Sequence, residues 1–276
     1  VEELTIEPSL EIEALHDRIR QARVHRPGNL PRDLTPFVGR AHELMDLTHV
    51  LSDPACRLVT LVGPSGIGKT RLALKAAMQA TSPTDTLFLD GAYLVRLDAV
   101  TTPTGLLAGA AHALGLISGA APGVTSDMVL RRIQDRELLL VLDGYDGQME
   151  HRNLLLTLLE GAPRLKLLVT CEERLRLPTE CVYSVKGLTV TAEGNGIVSE
   201  ALAFFQTRLQ TYGYLLSANE APIAARVCEL VGGMPLAIEL AAARAGTGTL
   251  RQLVSELERN LDVLAWDNVQ TPRHSS

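Results

Sequence analysis

The sequence predicts an α/β fold, with a parallel five-stranded sheet followed by a small all-helical domain. Short apolar runs alternate with helical segments up to about Thr189, and beyond it only helical periodicity remains. Only 4% of the residues are aromatic, which suits parallel strands covered by helices better than an antiparallel sandwich. The chain has 276 residues, 46% of them hydrophobic, so it is long enough for two packed units.

The predicted elements follow in order along the chain. The five apolar runs are expected to be parallel strands because helical segments separate them: 58–62, 92–97, 138–143, 165–170 and 182–185. Helices are predicted on either side of the first strand and throughout the last third, over 43–51, 71–78, 199–210, 219–231, 235–245 and 249–263.

These patterns predict three regions. Residues 1–27 contain one amphipathic helix, with Ile12, Leu15 and Ile19 at helical spacing, and end in a linker rich in turn formers. We expect this region to close a domain that lies upstream. Residues 28–190 hold the sheet, and residues 191–276 form the helical domain.

The segment Gly63-Pro64-Ser65-Gly66-Ile67-Gly68-Lys69-Thr70 fits the phosphate-loop pattern G-x-x-x-x-G-K-[ST]. It lies between a predicted strand and a predicted helix, which is the context that the pattern requires. In such loops, backbone N–H groups and the positive end of the helix bind phosphate. Lys69 is expected to reach the β and γ phosphates, and the Thr70 hydroxyl to ligate Mg²⁺.

A carboxylate for the same Mg²⁺ is predicted at Asp143, which follows the apolar run 138–142. The 74 positions from Lys69 to Asp143 leave room for a strand and two helices. Asp146, three residues further on, is a candidate for orienting the attacking water, although its loop also has an ordinary turn composition.

Several motifs together resemble one family. They are Phe37-Val38-Gly39-Arg40, the phosphate loop, Leu139 to Asp143, Leu167 to Thr170 with Glu173-Arg174-Leu175, and Gly233-Met234-Pro235-Leu236-Ala237. This set resembles the STAND class of signalling ATPases, and most of all the NB-ARC-like modules of bacterial transcriptional regulators. Residues 2–9 and the following helix resemble the end of the activation domain of SARP or AfsR-type regulators.

The resemblance implies a nucleotide-operated switch that binds ATP or ADP with Mg²⁺ between the sheet and the helical domain. Turnover would be slow or absent, and exchange of nucleotide would control self-assembly or the output of other domains. Val38, Gly39 and Arg40 would lie near adenine and ribose, and Pro235 would pack on the nucleotide. The expected nucleotide-binding residues are Val38, Gly39, Arg40, Gly63, Pro64, Ser65, Gly66, Ile67, Gly68, Lys69, Thr70, Arg71 and Pro235.

One position departs from the family pattern. Where the family has Thr-Ser-Arg, with the arginine sensing the γ-phosphate, this chain has Thr170-Cys171-Glu172. A carboxylate repels the charge that a guanidinium attracts, so ATP sensing is expected to be weak unless Arg174 or Arg176 takes over. The stretch 272–274 resembles the chain just before the family's winged-helix domain.

The net charge, the length of the apolar runs and the spacing of the cysteines narrow the class of protein. A formal charge of −6 with scattered Lys and Arg argues against nucleic-acid binding by this segment, and so against a helicase-like motor. No apolar run approaches membrane-spanning length, and we expect a cytoplasmic location. The four cysteines are widely spaced, which predicts reduced thiols and neither a metal site nor disulfides.

Two other interpretations compete with the switch. P-loop kinases share the loop and sheet, so a phosphotransferase acting on a small-molecule acceptor is the main alternative. An interaction domain with a vestigial loop is the other, and the intact Lys69, Thr70 and Asp143 argue against it.

Overall fold

The structure is a computed structural model that describes residues 28–31, 35–82, 87–98, 100, 102–118, 123–145, 149–191, 199–246, 248–260 and 264. Two compact units are present. Among the described residues, the first unit comprises 28–31, 43–62 and 69–184, and the second comprises 35–42, 63–68 and the chain from Val185 onward. The helix predicted near residues 12–19 and the stretch 272–274 lie outside the described residues.

The first unit contains a five-stranded sheet in which every described pair of neighbouring strands is parallel. The strand order is β2-β3-β4-β1-β5, so the strand that precedes the phosphate loop lies between the last two strands of the chain. This confirms the predicted fold class. The strands are β1 (Leu58–Val62), β2 (Ala92–Arg96), β3 (Leu139–Tyr145), β4 (Lys166–Cys171) and β5 (Glu180–Ser184).

Five helices of the described chain belong with the sheet, and two begin with a threonine cap. Thr102 and Thr125 each accept a hydrogen bond from a backbone N–H in the first turn of the helix they precede. The helices are α1 (Ala41–Ser52), α2 (Lys69–Ala80), α3 (Pro103–Ala113), α4 (Ser126–Ile133) and α5 (Met149–Gly161).

The core of this unit lies between the sheet and its helices. Strands β3 and β4 are almost completely buried, as expected for parallel strands covered on both faces. Leucines dominate the contacts, among them Leu106, Leu140, Leu155 and Leu167, each fully buried. Burial of that many leucines at roughly 2 kcal/mol each is a major source of stability for the unit.

The end of β3 differs from the prediction. The sequence suggests that the strand stops at Asp143, whereas it continues to Tyr145 with an irregular register against β4 between Leu142 and Tyr145. Gly144 in this stretch has a φ of 79°, a conformation that glycine adopts without strain. Asp143 therefore lies inside a strand, just before its irregular end.

The cysteine prediction is wrong for one pair. Cys56 and Cys181 form a disulfide, with their Cα atoms 6.1 Å apart, while Cys171 and Cys228 are free and buried. Cys56 lies two residues before β1 and Cys181 lies in β5, which pairs directly with β1. The 125 positions between them hide this proximity from sequence reasoning.

The second unit is helical, and it includes the segment before α1 and the phosphate-loop residues 63–68. Its helices are α6 (Glu200–Thr211), α7 (Ala221–Leu230), α8 (Pro235–Ala245) and α9 (Leu250–Arg259), with a short 3-10 turn over Ala218–Glu220. The buried faces of these helices meet in one apolar core that includes Phe205, Val227, Ile238 and Leu253.

Two glycines join α7 to α8. Gly232 and Gly233 have φ values of 60° and 65°, and a Cβ at Gly233 would lie 2.1 Å from the Leu188 carbonyl oxygen. The Leu188 N–H donates to the Gly233 carbonyl at 2.8 Å. The turn therefore needs glycine at 233, and it brings Pro235 to the first turn of α8, where its missing N–H costs nothing.

No helix in the described part of the chain is both long and apolar enough to cross a bilayer.

Candidate nucleotide-binding site

The predicted phosphate loop follows β1 directly and runs into α2, which begins at Lys69. Its glycines are structurally required. Gly66 and Gly68 have φ values of 77° and 92°, and a Cβ at Gly66 would lie 2.8 Å from the Leu236 Cβ. The loop is closed by a hydrogen bond from the Ile67 N–H to the Pro64 carbonyl at 3.3 Å.

Thr70 and Asp143 meet in the first unit, as the magnesium prediction requires. The Thr70 hydroxyl donates to Asp143 Oδ1 at 2.7 Å, and the Asp143 side chain is buried. A hydroxyl and a carboxylate at this separation are the oxygen donors that Mg²⁺ prefers, so this pair fits the ion.

Thr170 at the end of β4 is a partner that the sequence analysis did not identify. Its hydroxyl also donates to Asp143 Oδ1 at 2.7 Å and accepts from the Gly144 N–H at 3.0 Å. Because β3 and β4 are parallel neighbours, their ends lie side by side. The polar residue that ends the apolar run 165–169 was the signal available in the sequence.

Arg40 contacts the phosphate loop within the second unit. Its side chain is 3% exposed, and Nη2 donates to the carbonyl oxygens of Ile67 at 2.7 Å and Lys186 at 3.1 Å. The position of Arg40 near adenine and ribose stays a prediction. In the structure its guanidinium binds the backbone of the loop.

Glu200, the first residue of α6, binds the backbone of Arg40. The Arg40 N–H donates to Glu200 Oε1 at 2.5 Å, and the Thr189 N–H and hydroxyl each donate to Oε2 at 3.3 Å. A Cβ at Gly39 would lie 2.9 Å from the Glu200 side chain, which explains the glycine beside Arg40. Val38 packs against the helical core. The sequence analysis did not identify Glu200.

The start of α8 lies against the same loop. The Leu236 N–H donates to the Gly66 carbonyl at 3.2 Å, and a Cβ at Gly68 would lie 3.7 Å from Pro235 Cγ. The structure therefore brings Pro235 to the loop, although Pro235 and Gly68 are 167 positions apart in the chain. The contact to Gly66 is made by the backbone N–H of Leu236, and a pattern of residue types cannot predict a contact of that kind.

The charged residues that follow Cys171, at the expected sensor position, are exposed. Glu172, Arg174 and Arg176 all have exposed side chains, and the Arg176 N–H donates to Glu180 Oε2 at 2.7 Å. Burial raises the pKa of the Cys171 thiol to about 12, and the nearby Glu180 adds to this.

Two predicted site residues remain. Arg71, in the first turn of α2, is half-buried, and Asp146 lies outside the described residues.

No family model matches the chain. It is 34% identical over 238 residues to an uncharacterized protein of Mycobacterium tuberculosis, covering 85% of the chain and 57% of the relative. It is 32% identical over 211 residues to a protein of the same species described as a putative HTH-type transcriptional regulator, covering 76% of the chain and 22% of that protein.

The regulatory protein AfsR of Streptomyces coelicolor is 29% identical over 300 aligned positions, covering 95% of the chain and 28% of AfsR. The chain therefore spans little more than half the length of the first of these relatives, and about a quarter of the regulators.

Two solved structures share the fold. A STAND protein with a tetratricopeptide repeat sensor from Pyrococcus horikoshii has a TM-score of 0.53 and 20% identity, covering 83% of this chain and 33% of its own. The Orc1 protein of Aeropyrum pernix, solved with DNA, has a TM-score of 0.56 and 18% identity, covering 88% of this chain and 69% of its own. The chain thus shares its fold with these two proteins, and it is similar in sequence to proteins described as regulators.

Proposed function

We propose that this chain is the nucleotide-binding switch module of a multidomain transcriptional regulator, of the NB-ARC-like kind. The observation that carries the proposal is the Thr70 to Asp143 hydrogen bond of 2.7 Å at the end of a complete phosphate-loop sequence. The similarity to HTH-type and AfsR regulators supports the regulatory role. The cytoplasmic location expected from the sequence belongs to the same proposal.

Each residue has a defined part in holding ATP or ADP. The loop N–H groups and Lys69 bind the phosphates, and Thr70 and Asp143 supply oxygen ligands to Mg²⁺. When bound, Mg²⁺ neutralises phosphate charge. In this proposal Val38, Gly39 and Arg40 lie near the adenine and ribose, and Pro235 packs on the nucleotide from the helical unit.

A ligand that touches both units makes the module a switch. Nucleotide that binds sheet and helical residues together stabilises whichever arrangement lets both sets of contacts form. Exchange of ADP for ATP changes those contacts at the γ-phosphate, and the change is passed to the other domains of the regulator or to self-assembly. Hydrolysis is slow in this proposal because Glu172 replaces the expected arginine.

The experiment is to denature the freshly purified protein and identify any released nucleotide, then to titrate the nucleotide-free protein with ADP and ATP, with and without Mg²⁺. We expect micromolar or tighter binding that Mg²⁺ strengthens. No detectable binding at millimolar nucleotide would overturn the proposal. Rapid phosphate transfer to an added small-molecule acceptor would replace it with the phosphotransferase alternative.

Scanning calorimetry then tests the joint contact with both units. ADP that binds both units should raise their melting temperatures together, since it stabilises only the folded, liganded form. If the two units melt separately and ADP raises the melting temperature of the sheet unit alone, the helical unit does not contribute to the site.

A further inference from the structure

The phosphate loop has two carbonyl groups whose direction is fixed by other residues of the second unit. The Gly66 carbonyl accepts from the Leu236 N–H, and the Ile67 carbonyl accepts from Arg40 Nη2. A carbonyl oxygen carries partial negative charge, so one that turned toward a bound phosphate would repel it. Holding these two oxygens on protein donors prevents that orientation.

Arg40 does this from a conformation that is costly by itself. Its φ is 61°, and that of Gly39 is 72°, so two consecutive residues are left-handed. For a residue other than glycine this conformation is strained and persists only where neighbouring groups enforce it. The guanidinium is buried, which fixes the side chain, and the backbone needs a separate anchor.

Glu200 is that anchor. Its Oε1 accepts the Arg40 N–H at 2.5 Å, and its Oε2 accepts from the N–H and hydroxyl of Thr189. A hydrogen bond to a charged acceptor is stronger than one between neutral groups, so the carboxylate stabilises the left-handed Arg40. One side chain thereby connects the start of α6, the segment before α1 and, through Arg40, the loop.

We propose that Glu200 is a positioning residue of the nucleotide site: it fixes Arg40, and Arg40 holds the Ile67 carbonyl away from the phosphates. The inference rests on the proposed function for its effect on nucleotide affinity. Its structural part, the order of the loop, does not depend on any nucleotide.

Glu220 provides a matched control in the same unit. It also sits at a helix start, where it accepts from the Ser217 N–H at 3.1 Å, the Ser217 hydroxyl at 2.6 Å and the Tyr214 hydroxyl at 2.5 Å. These hydrogen bonds stay within residues 214–220, far along the chain from the loop. Glu220→Ala thus removes a carboxylate of similar local role without touching Arg40.

The test compares Glu200→Ala, Glu200→Gln and Glu220→Ala by hydrogen exchange of the loop amides and by ADP titration. We expect Glu200→Ala to lose protection at residues 66–68 and to bind ADP about tenfold more weakly, the effect of one charge-assisted hydrogen bond. Glu200→Gln keeps an oxygen for the Arg40 N–H and should stay within about threefold of the parent protein.

Loop protection and affinity that are unchanged in Glu200→Ala, or lowered equally in Glu220→Ala, would overturn the inference. If the parent protein binds no nucleotide, the proposed function fails, and loop exchange still decides the role of Glu200. If Glu200→Ala does not fold, Glu200→Gln is compared with Glu220→Gln by the same exchange measurement. A partial loss of protection at residues 66–68 in Glu200→Gln alone supports the inference, and equal protection in the two variants overturns it.

Discussion

Asp143 and Arg40 are both buried, charged residues beside the phosphate-loop sequence, and the two are held in opposite ways. Two threonine hydroxyls donate to the carboxylate of Asp143, and backbone carbonyls accept from the guanidinium of Arg40. Donors on one oxygen of a carboxylate orient it and leave the other oxygen for a cation. The guanidinium donates to backbone carbonyls and so holds the backbone around it in place. One residue therefore suits ligand chemistry, and the other maintains the loop.

The comparison also concerns the two parts of the loop. Lys69 and Thr70 start a helix of the sheet unit, whereas residues 63–68 belong with the helical unit. Substitutions in the first part should change how strongly nucleotide and Mg²⁺ bind. Substitutions in the second part should also change the stability of the helical unit.

Lys69→Ala should have the largest effect on affinity, because it removes the cation that is proposed to bind the phosphates. We expect ADP and ATP to bind at least about a hundredfold more weakly, or roughly 3 kcal/mol, with little change in melting temperature. Isothermal titration measures this. Lys75→Ala, further along α2, is the control and should bind normally. Equal affinity in Lys69→Ala and the parent protein would sink the assignment of the site.

Asp143→Asn tests whether the carboxylate of Asp143 is a ligand of Mg²⁺. The amide oxygen can still accept from the hydroxyls of Thr70 and Thr170, so the fold should be kept while the charge is lost. Stimulation of nucleotide binding by Mg²⁺ should fall about tenfold. Asp135→Asn, at an exposed carboxylate just after α4, should leave the Mg²⁺ response unchanged. A normal Mg²⁺ response in Asp143→Asn would reduce Asp143 to a structural role.

Gly66→Ala tests the second part of the loop, and Gly213→Ala, at a glycine with a similar φ, is its control. Gly213 has a φ of 74° with nothing within 4 Å of the position that a Cβ would occupy, whereas a Cβ at Gly66 meets the Leu236 side chain. Both alanines carry the cost of a left-handed backbone, about 1 kcal/mol. Gly66→Ala should lose about a further 1 kcal/mol from the clash, and its ADP affinity should also fall.

Thermal unfolding with and without ADP separates these two costs. Equal melting temperatures for Gly66→Ala and Gly213→Ala would mean that the contact between the loop and Leu236 does not form in solution.

The smallest effect is expected at the sensor position. Glu172 is exposed, so Glu172→Arg should raise ATP affinity relative to ADP only a few-fold, because water screens the new charge. If Arg174 or Arg176 already senses the γ-phosphate, Arg174→Ala or Arg176→Ala should weaken ATP binding, and Glu172→Arg should do little. The ratio of ATP to ADP affinity in the three variants distinguishes these cases. A strong native preference for ATP with rapid turnover would contradict the weak-sensor account.

Much of the fold was predictable because its signals are local. The apolar runs that become β3 and β4 are buried on both faces, and such runs separated by helices favour a parallel sheet with crossover connections. β1 has its predicted bounds, and the other four strands differ from the prediction by at most two residues at either end. Asp143 shows the largest consequence, since β3 passes through it to Tyr145.

The amino-acid sequence was enough to predict the fold class, and it predicts a phosphate loop and a magnesium ion shared by Thr70 and Asp143, because each depends on short-range pattern and on the common direction of parallel strands. The bond between Cys56 and Cys181 and the contact between Arg40 and Glu200 became visible only in the folded chain. The last two are 160 positions apart, and the cysteines 125. Such contacts depend on how elements far apart in the chain pack together. Composition and periodicity report only local structure, so they do not predict that packing.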